Sequence, residues 1–321
     1  MIIFHLAAIT LAVVIDSIVG DPPNLPHPVR WMGSLIYSLE KGMNKGSFRK
    51  VKGTVMLAIV LLVTGGASFL AVHFAYLLHP AAGIFVEAVL ISTAIAQKSL
   101  KEAALTVYAP LEKGNIEEAR LNLSYIVGRD TDRLDEPEIV RGAVETVAEN
   151  TSDGITAPLF WALIGGAPLA LMYRGINTCD SIVGYRNEKF RDFGWASARL
   201  DDAANWIPSR LTSLCMLAGS RPSHVTTSKA WGIVRRDAKK HPSPNSGWGE
   251  AAVAALLGVQ LGGINYYKGV ESNRATMGDP LVQLEKKHIV KANQIVTVTV
   301  PIFLILLWLG GMLIEMAATW V

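Results

Sequence analysis

The chain is short of charge and of cysteine. Asp, Glu, Lys and Arg make up 18% of its 321 residues, against roughly a quarter in ordinary soluble proteins. That shortage argues against a soluble globular domain. The only cysteines, Cys179 and Cys215, lack C-x-x-C spacing, which argues against a disulfide framework and a structural zinc site. The net charge is only +3 and no basic run carries interleaved aromatics, so nucleic acid is not an expected partner. There is no G-x-x-x-x-G-K-[ST], no G-x-G-x-x-G, no H-E-x-x-H and no G-x-S-x-G. Standard nucleotide-binding and hydrolase folds are therefore unsupported. No repeat of fixed period and no low-complexity tract is present. The apolar N-terminus has no basic leader and carries His5 and Asp16 inside its run, so it reads as a retained span or re-entrant helix rather than a signal peptide.

What is abundant is apolar surface. Half of the residues are hydrophobic and the mean hydropathy is +0.32. About 20 apolar residues cross a bilayer as a helix. Residues 53–78 and 294–318 are the clearest candidates, and 83–97, carrying Glu87, follows the first through a tight His79-Pro80 turn as a hairpin. Residues 155–172 and 204–219 are weaker and contain prolines; 251–264 reads as a buried core helix. Residues 98–125 read as an amphipathic helix or helix pair, broken at Pro110 and Gly114, and no alternating strand pattern competes. The expectation is an all-α, polytopic membrane protein with about four to six membrane helices and long polar cytoplasmic loops, built as one domain over 1–321. Lysines and arginines between 30 and 52 place that loop in the cytoplasm. The basic segment 173–203 conflicts with an outward position, which is resolved if 155–172 and 204–219 form a re-entrant or buried pair.

Four stretches concentrate polar residues. In the first, prolines hold Asp16, Asp21, His27 and Arg30 in a rigid frame, or simply end a helix with an Asp cap. In the second, Gly128-Arg129-Asp130-Thr131 precedes a helix entered through Pro137, on which Glu138, Arg141, Glu145 and Glu149 share one face. That face is either solvated and laced by Arg141–Glu145 pairs or a carboxylate wall for Mg²⁺. The helix is expected to end at Asn150–Gly154. The third stretch runs from Arg174 through Asn177, Asp180 and Arg186 to Arg199, Asp201 and Asp202. An acid pair beside a membrane helix is costly unless solvated or bound, although it also serves as a helix cap. The fourth, His241 to Glu250, opens a helix with Asn245, Ser246 and Gly247, either as an anion site or as a plain N-cap.

These stretches carry a resemblance. D-S-I-V-G-D-P-P-x-x-P-H-P-V-R-x-M-G at 16–33, G-R-D-T at 128–131, E-I-V-R-G-A-V-E-T-V-A-E-N-T-S-D-G at 138–154 and A-P-L-F-W at 157–161 resemble the CobD/CbiB family. So do R-x-x-N-T-x-D-S-x-V-G-Y at 174–185, D-D-x-x-N-W-x-P-x-R at 201–210 and P-x-P-N-S-G-W-x-E-A at 242–251. The order and spacing cover essentially the whole chain. The resemblance implies an adenosylcobinamide-phosphate synthase of the inner membrane, working in cobalamin synthesis. Such an enzyme joins (R)-1-amino-2-propanol or its O-phosphate to the remaining propionate carboxyl of adenosylcobyric acid, with ATP and Mg²⁺. Other cobalamin-synthesis enzymes would be natural partners beside the lipid bilayer.

For that reaction an acyl phosphate is the expected intermediate, since a carboxylate is a poor electrophile. The metal candidates are Glu145, Glu149, Asp153, Asp180, Asp201 and Asp202. Arg129, Arg174, Arg186 and Arg199 suit phosphates through bidentate guanidinium contacts, with the Asn245–Gly249 turn as a cradle. His27 or His241 suits the role of base, and Asp180 and Glu149 are expected to be catalytic. Asn150 and Asn177 suit the corrin amides, while Trp161, Trp195, Trp206 and Trp248 are candidates for its apolar face. The competing expectations are a transporter of a corrinoid or other solute, for which intramembrane acids and glycine-interrupted helices are suited, and a membrane sensor of the AmpE type.

Overall fold

Helices follow from the patterning just described, since in lipid a chain must satisfy its backbone within itself. The computed structural model describes residues 2–22, 27–185 and 187–319. In chain order come α1 (Ile2–Val19), α2 (Pro28–Met43), α3 (Arg49–Leu78), α4 (Pro80–Ser92), α5 (Gln97–Glu112), α6 (Ile116–Ser124) and α7 (Glu136–Thr151). A single π-helical turn, Ser152–Thr156, leads into α8 (Ala157–Val183), α9 (Trp195–Ala204), α10 (Trp206–Gly219), α11 (Thr227–Asp237) and α12 (Ser246–Leu257). Two strands, β1 (Leu261–Tyr267) and β2 (Val270–Met277), precede the long α13 (Lys287–Thr319). Among the described residues, 5 stretches are long and apolar enough to cross a membrane: Ile2–Val19, Arg49–Leu78, Pro80–Glu112, Glu136–Val183 and Lys287–Ala317. The protein is an all-α, polytopic membrane protein.

The expected hairpin is present. α3 and α4 meet at His79, whose Nδ1 accepts from the N–H of Ala81 at 3.1 Å. Residues 204–219 are a different matter: α10 has 14 residues and rises about 21 Å, too short for a core of about 30 Å. Pro110 does not break α5, which runs through it to Glu112. Proline removes one N–H, and the carbonyl thereby left without its donor, that of Thr106, accepts from Asn122 Nδ2 at 2.7 Å. The break falls at Gly114, before α6, as expected.

Beside the break at Pro110, two further expectations need correction. Residues 251–264 are not one helix. α12 stops at Leu257, and a strand begins at Leu261. β1 and β2 pair antiparallel, Tyr267 opposite Val270. The two turn residues, Lys268 and Gly269, both have positive φ, 53° and 76°, as a type I′ turn requires. Nor does α7 end in a loop at Asn150–Gly154, because the π turn carries the helical path on into α8.

By contacts the chain divides into two compact units, each assembled from separated segments. One comprises residues 1–98, 153–205 and 304–321, the other 99–152 and 206–303. In the first, Ile36, Met56, Val60, Cys179, Val183 and Phe193 form a buried core. In the second, α12 is buried almost throughout.

Candidate functional site

Each unit holds a polar cluster. In the first, α8 and α9 supply it. α8 is two half-helices, because Gly165 (φ −150°, ψ 31°) and Gly166 (φ 64°, ψ −158°) leave the helical region. The second half carries Tyr173, Arg174, Asn177 and Asp180. Asp201, on α9, is buried and accepts from Asn177 Nδ2 at 3.3 Å and Asn205 Nδ2 at 3.1 Å. Tyr173 donates to Asn205 Oδ1 at 2.7 Å and lies 3.2 Å from the carbonyl of Asp153. Burial first, and then the negative charge of Asp180, raise the Asp201 carboxyl from 3.8 to about 7, against the two amide donors. The cluster thus unites Asp153, Asn177, Asp180 and Asp201 of the sequence-expected residues, with Asp202 adding charge. Arg174 is near Asp153 and Asp21, and among the described residues its buried Nε has no hydrogen-bond partner. Arg199 is exposed. Arg186 lies outside the described residues, as do residues 23–26 of the first polar stretch.

In the second unit, α7 and α12 pack face to face. A Cβ on Gly249 would stand 2.6 Å from the carbonyl of Ala148, so glycine lets the two helices approach. Gly247 is equally confined, by the carbonyl of Ala238 and by His241. These glycines serve packing in this structure. Asn245 is buried, and its Oδ1 accepts from Ser209 and Arg210. Ser246 donates to Glu149 at 2.8 Å, and Asn150 donates to the Thr146 carbonyl of its own helix.

The charged face of α7 is solvated only in part, Glu138 and Glu149 being half-buried. Arg141 and Glu145 are both buried. Arg141 donates to the carbonyls of Gly262 and Ile264 on β1, so the expected Arg141–Glu145 lacing is not how this face is satisfied. Glu145 instead pairs with Arg129 at 2.8 Å and accepts the N–H of Gly262 at 2.8 Å. Arg129 also donates to Asn265. His241 Nε2 lies 3.5 Å from Glu250, while its Nδ1 accepts from the N–H of Ser243 at 3.0 Å. Burial lowers the His241 pKa against the opposing pull of Glu149. Burial, and then Glu145 and Glu149, push Glu250 well above the usual carboxylate range.

In the first polar stretch, Asp16 is buried and accepts from the N–H groups of Gln97 and Lys98 at 3.1 and 3.2 Å. It caps α5, where a carboxylate complements the helix dipole. His27 meets Asp21 at 3.0 Å. Of the tryptophans, Trp161 donates to the Ala204 carbonyl at 3.1 Å. Lys50 sits 3.7 Å from the ring centre of Trp195, and Arg210 4.3 Å and 4.9 Å from those of Trp206 and Trp248.

Sequence reasoning missed Tyr173, Asn205, Glu250, Asn265 and Arg274, whose positive charge on β2 opposes the upward shift of Glu250. Glu250 stood one turn after Ser246, inside the last quoted motif, and Asn205 inside D-D-x-x-N; both signals were available. Asn265 and Arg274 had none until the hairpin was seen.

The CobD/Cbib protein family model matches residues 9–296. The chain belongs to the CobD/CbiB family. A cobalamin biosynthesis protein CobD of Halalkalibacterium halodurans is 54% identical over 312 residues, covering 97% of this chain and 98% of its own. That of Clostridium perfringens is 46% identical over 289 residues, 89% of this chain and 92% of its own. A cobalamin biosynthesis protein CbiB of Salmonella paratyphi B is 44% identical over 273 residues, 84% and 86%. No solved structure matches the chain. The family places the protein in cobalamin biosynthesis, as a multi-pass membrane protein.

Proposed function

We propose that the protein forms the amide bond between the propionate carboxyl of adenosylcobyric acid and (R)-1-amino-2-propanol or its O-phosphate, at the inner membrane. Family membership and the relatives' names support the pathway. The observation that carries the chemistry is Asp201, a buried carboxylate held by Asn177 and Asn205 beside Asp180. An amine attacks only after losing its proton, and a base tuned near the operating pH is best suited to take it.

In this reading the substrate carboxylate first attacks the terminal phosphorus of ATP, and ADP leaves. The amine nitrogen then attacks the acyl carbon, the bond from that carbon to the phosphate oxygen breaks, and inorganic phosphate departs. The proton lost by nitrogen goes to Asp201. Arg174 would hold phosphate oxygens. Among the described residues no three His, Cys, Asp or Glu side chains form a metal-ligand set. Mg²⁺ would come with the nucleotide as cosubstrate, which asks for only one or two protein carboxylates, and Asp180 and Asp202 would supply them.

The test is purified protein with adenosylcobyric acid, either amine, ATP and Mg²⁺, read by mass spectrometry. The expected result is a condensed amide that appears only with ATP and is lost in Asp180→Asn and Asp201→Asn. Near-wild-type turnover in those variants would refute the assignment of the site. One observation favours a second reading, transport: Glu87, fully buried, lies at the glycine break of α8. Uptake of a corrinoid into proteoliposomes without any new amide would select it.

A further inference from the structure

At the break in α8 the backbone N–H of Ala167 finds a partner outside its own helix. It is taken by a side chain from another span: Glu87 Oε1 accepts it at 3.1 Å. The same oxygen meets His5 Nδ1 at 2.8 Å, and Oε2 accepts from Tyr76 at 2.7 Å. Glu87 is 0% exposed. An isolated carboxylate in a span is costly, so such a residue persists only with partners, and here α1, α3, α4 and α8 all supply one side of the contact. Gly166 admits it on two counts. Its φ of 64° lies in the left-handed region, and a Cβ there would collide with Glu87 Oε1.

The position of this clamp gives it leverage. The half-helix beginning at Ala167 carries Tyr173, Arg174, Asn177 and Asp180. Asp180 lies thirteen residues on, about 20 Å at 1.5 Å per residue. A tilt of about 5° at the break therefore moves Asp180 by roughly 2 Å, and a misplacement of about 1 Å can cost on the order of a hundredfold in rate.

We infer that Glu87, with His5 and Tyr76, is a positioning residue: by capturing the Ala167 N–H at the α8 break it sets the direction of the half-helix that presents Arg174, Asn177 and Asp180. The inference rests on the proposed reaction for its effect on turnover, but its structural half is read separately through Cys179. That thiol lies on the same half-helix, 0% exposed against Met56 and Val60. In full-length protein with Cys215→Ser, the rate of Cys179 alkylation by N-ethylmaleimide reports any loosening of the half-helix. Glu87→Ala should raise that rate by roughly ten- to a hundredfold, the range expected for a lost buried hydrogen bond to a charged group, and should cut turnover. Gly166→Ala, which displaces the carboxylate with a single methyl, should do the same. Glu87→Gln keeps an acceptor for Ala167 and should stay near wild type, as should the control Gly66→Ala, whose Cβ would meet nothing within 4 Å.

Unchanged alkylation in Glu87→Ala and Gly166→Ala would overturn the inference. So would a Glu87→Gln as disruptive as Glu87→Ala, since charge rather than the Ala167 bond would then matter, or faster alkylation with turnover intact. If the wild-type protein makes no amide, the reaction reading fails, and the alkylation pattern alone decides whether Glu87 sets α8.

Discussion

At Arg129 and Glu145, two side chains legible in the sequence turn out to be structural partners of a strand. Breaking a buried pair by removing one member costs about 3–5 kcal/mol, because the other charge is left without compensation. Arg129→Ala is therefore expected to lower the thermal midpoint of the detergent-purified protein sharply, while Arg133→Ala, nearby in sequence, should not. Asp201 gives a pH signature. Its carboxyl is raised from 3.8 to about 7 by burial and by Asp180. Between those values the folded protein holds a proton that the unfolded chain has lost. Stability thus falls as pH rises through that window and stays lowered above it, by at most about 4 kcal/mol. Asp201→Asn should flatten the dependence of the midpoint across the same interval. A slope unaltered by the substitution would show that another group governs it. Arg129 and Asp201 could be named from composition and spacing, and Asn205 stood in the same motif as Asp201; Asn265, 136 residues from Arg129, could not.

Whole elements show why some predictions from pattern failed. The β1–β2 pair is too small to stand alone, as isolated two-stranded hairpins are marginal in water. It exists because Arg141, Glu145 and Arg129 reach from α7 and its approach to the backbone and side chains of β1. At its far end the N–H of Gly278 is accepted by Asp237 at 2.9 Å. Burial pushes that carboxyl up, but Arg236, Lys240 and Gly278 outweigh it and hold it at about 2. The α7–α12 contact yields a sharper test. Gly249→Ala places a methyl 2.6 Å from the Ala148 carbonyl, and overpacking of this kind costs about 1–3 kcal/mol. A lowered midpoint is expected for Gly249→Ala and none for Gly128→Ala, where a Cβ meets nothing within 4 Å. The same closeness explains why the glycines around Trp248, read from sequence as a phosphate cradle, are seen here at a helix–helix contact.

For the molecule as a whole, the sequence reading rested on hydropathy and on the distribution of basic residues. The five candidate spans agree with the hydropathy. Sidedness has its own expectation: the basic segment following α8 belongs with the cytoplasm. A cysteine introduced by Asn187→Cys in a cysteine-free background should resist a membrane-impermeant maleimide added from outside and react after permeabilisation. Labelling from outside would place that segment in the periplasm and remove it from reach of cytoplasmic ATP.

Helices, their hydrophobic lengths and the capping of α7 by Asp135 and Glu138 were determined by the sequence alone, because they depend on local backbone physics and on a side-chain period of a few residues. The motif text likewise determined the family. The tertiary structure decided the rest: that the middle of the charged face of α7, at Arg141 and Glu145, is buried, that a strand covers it, and that Glu87 holds a break in α8 eighty positions away. Those outcomes turn on which elements meet. A carboxylate or an arginine has the same local pattern whether it faces water or a backbone N–H, and only the packed partner tells the two apart.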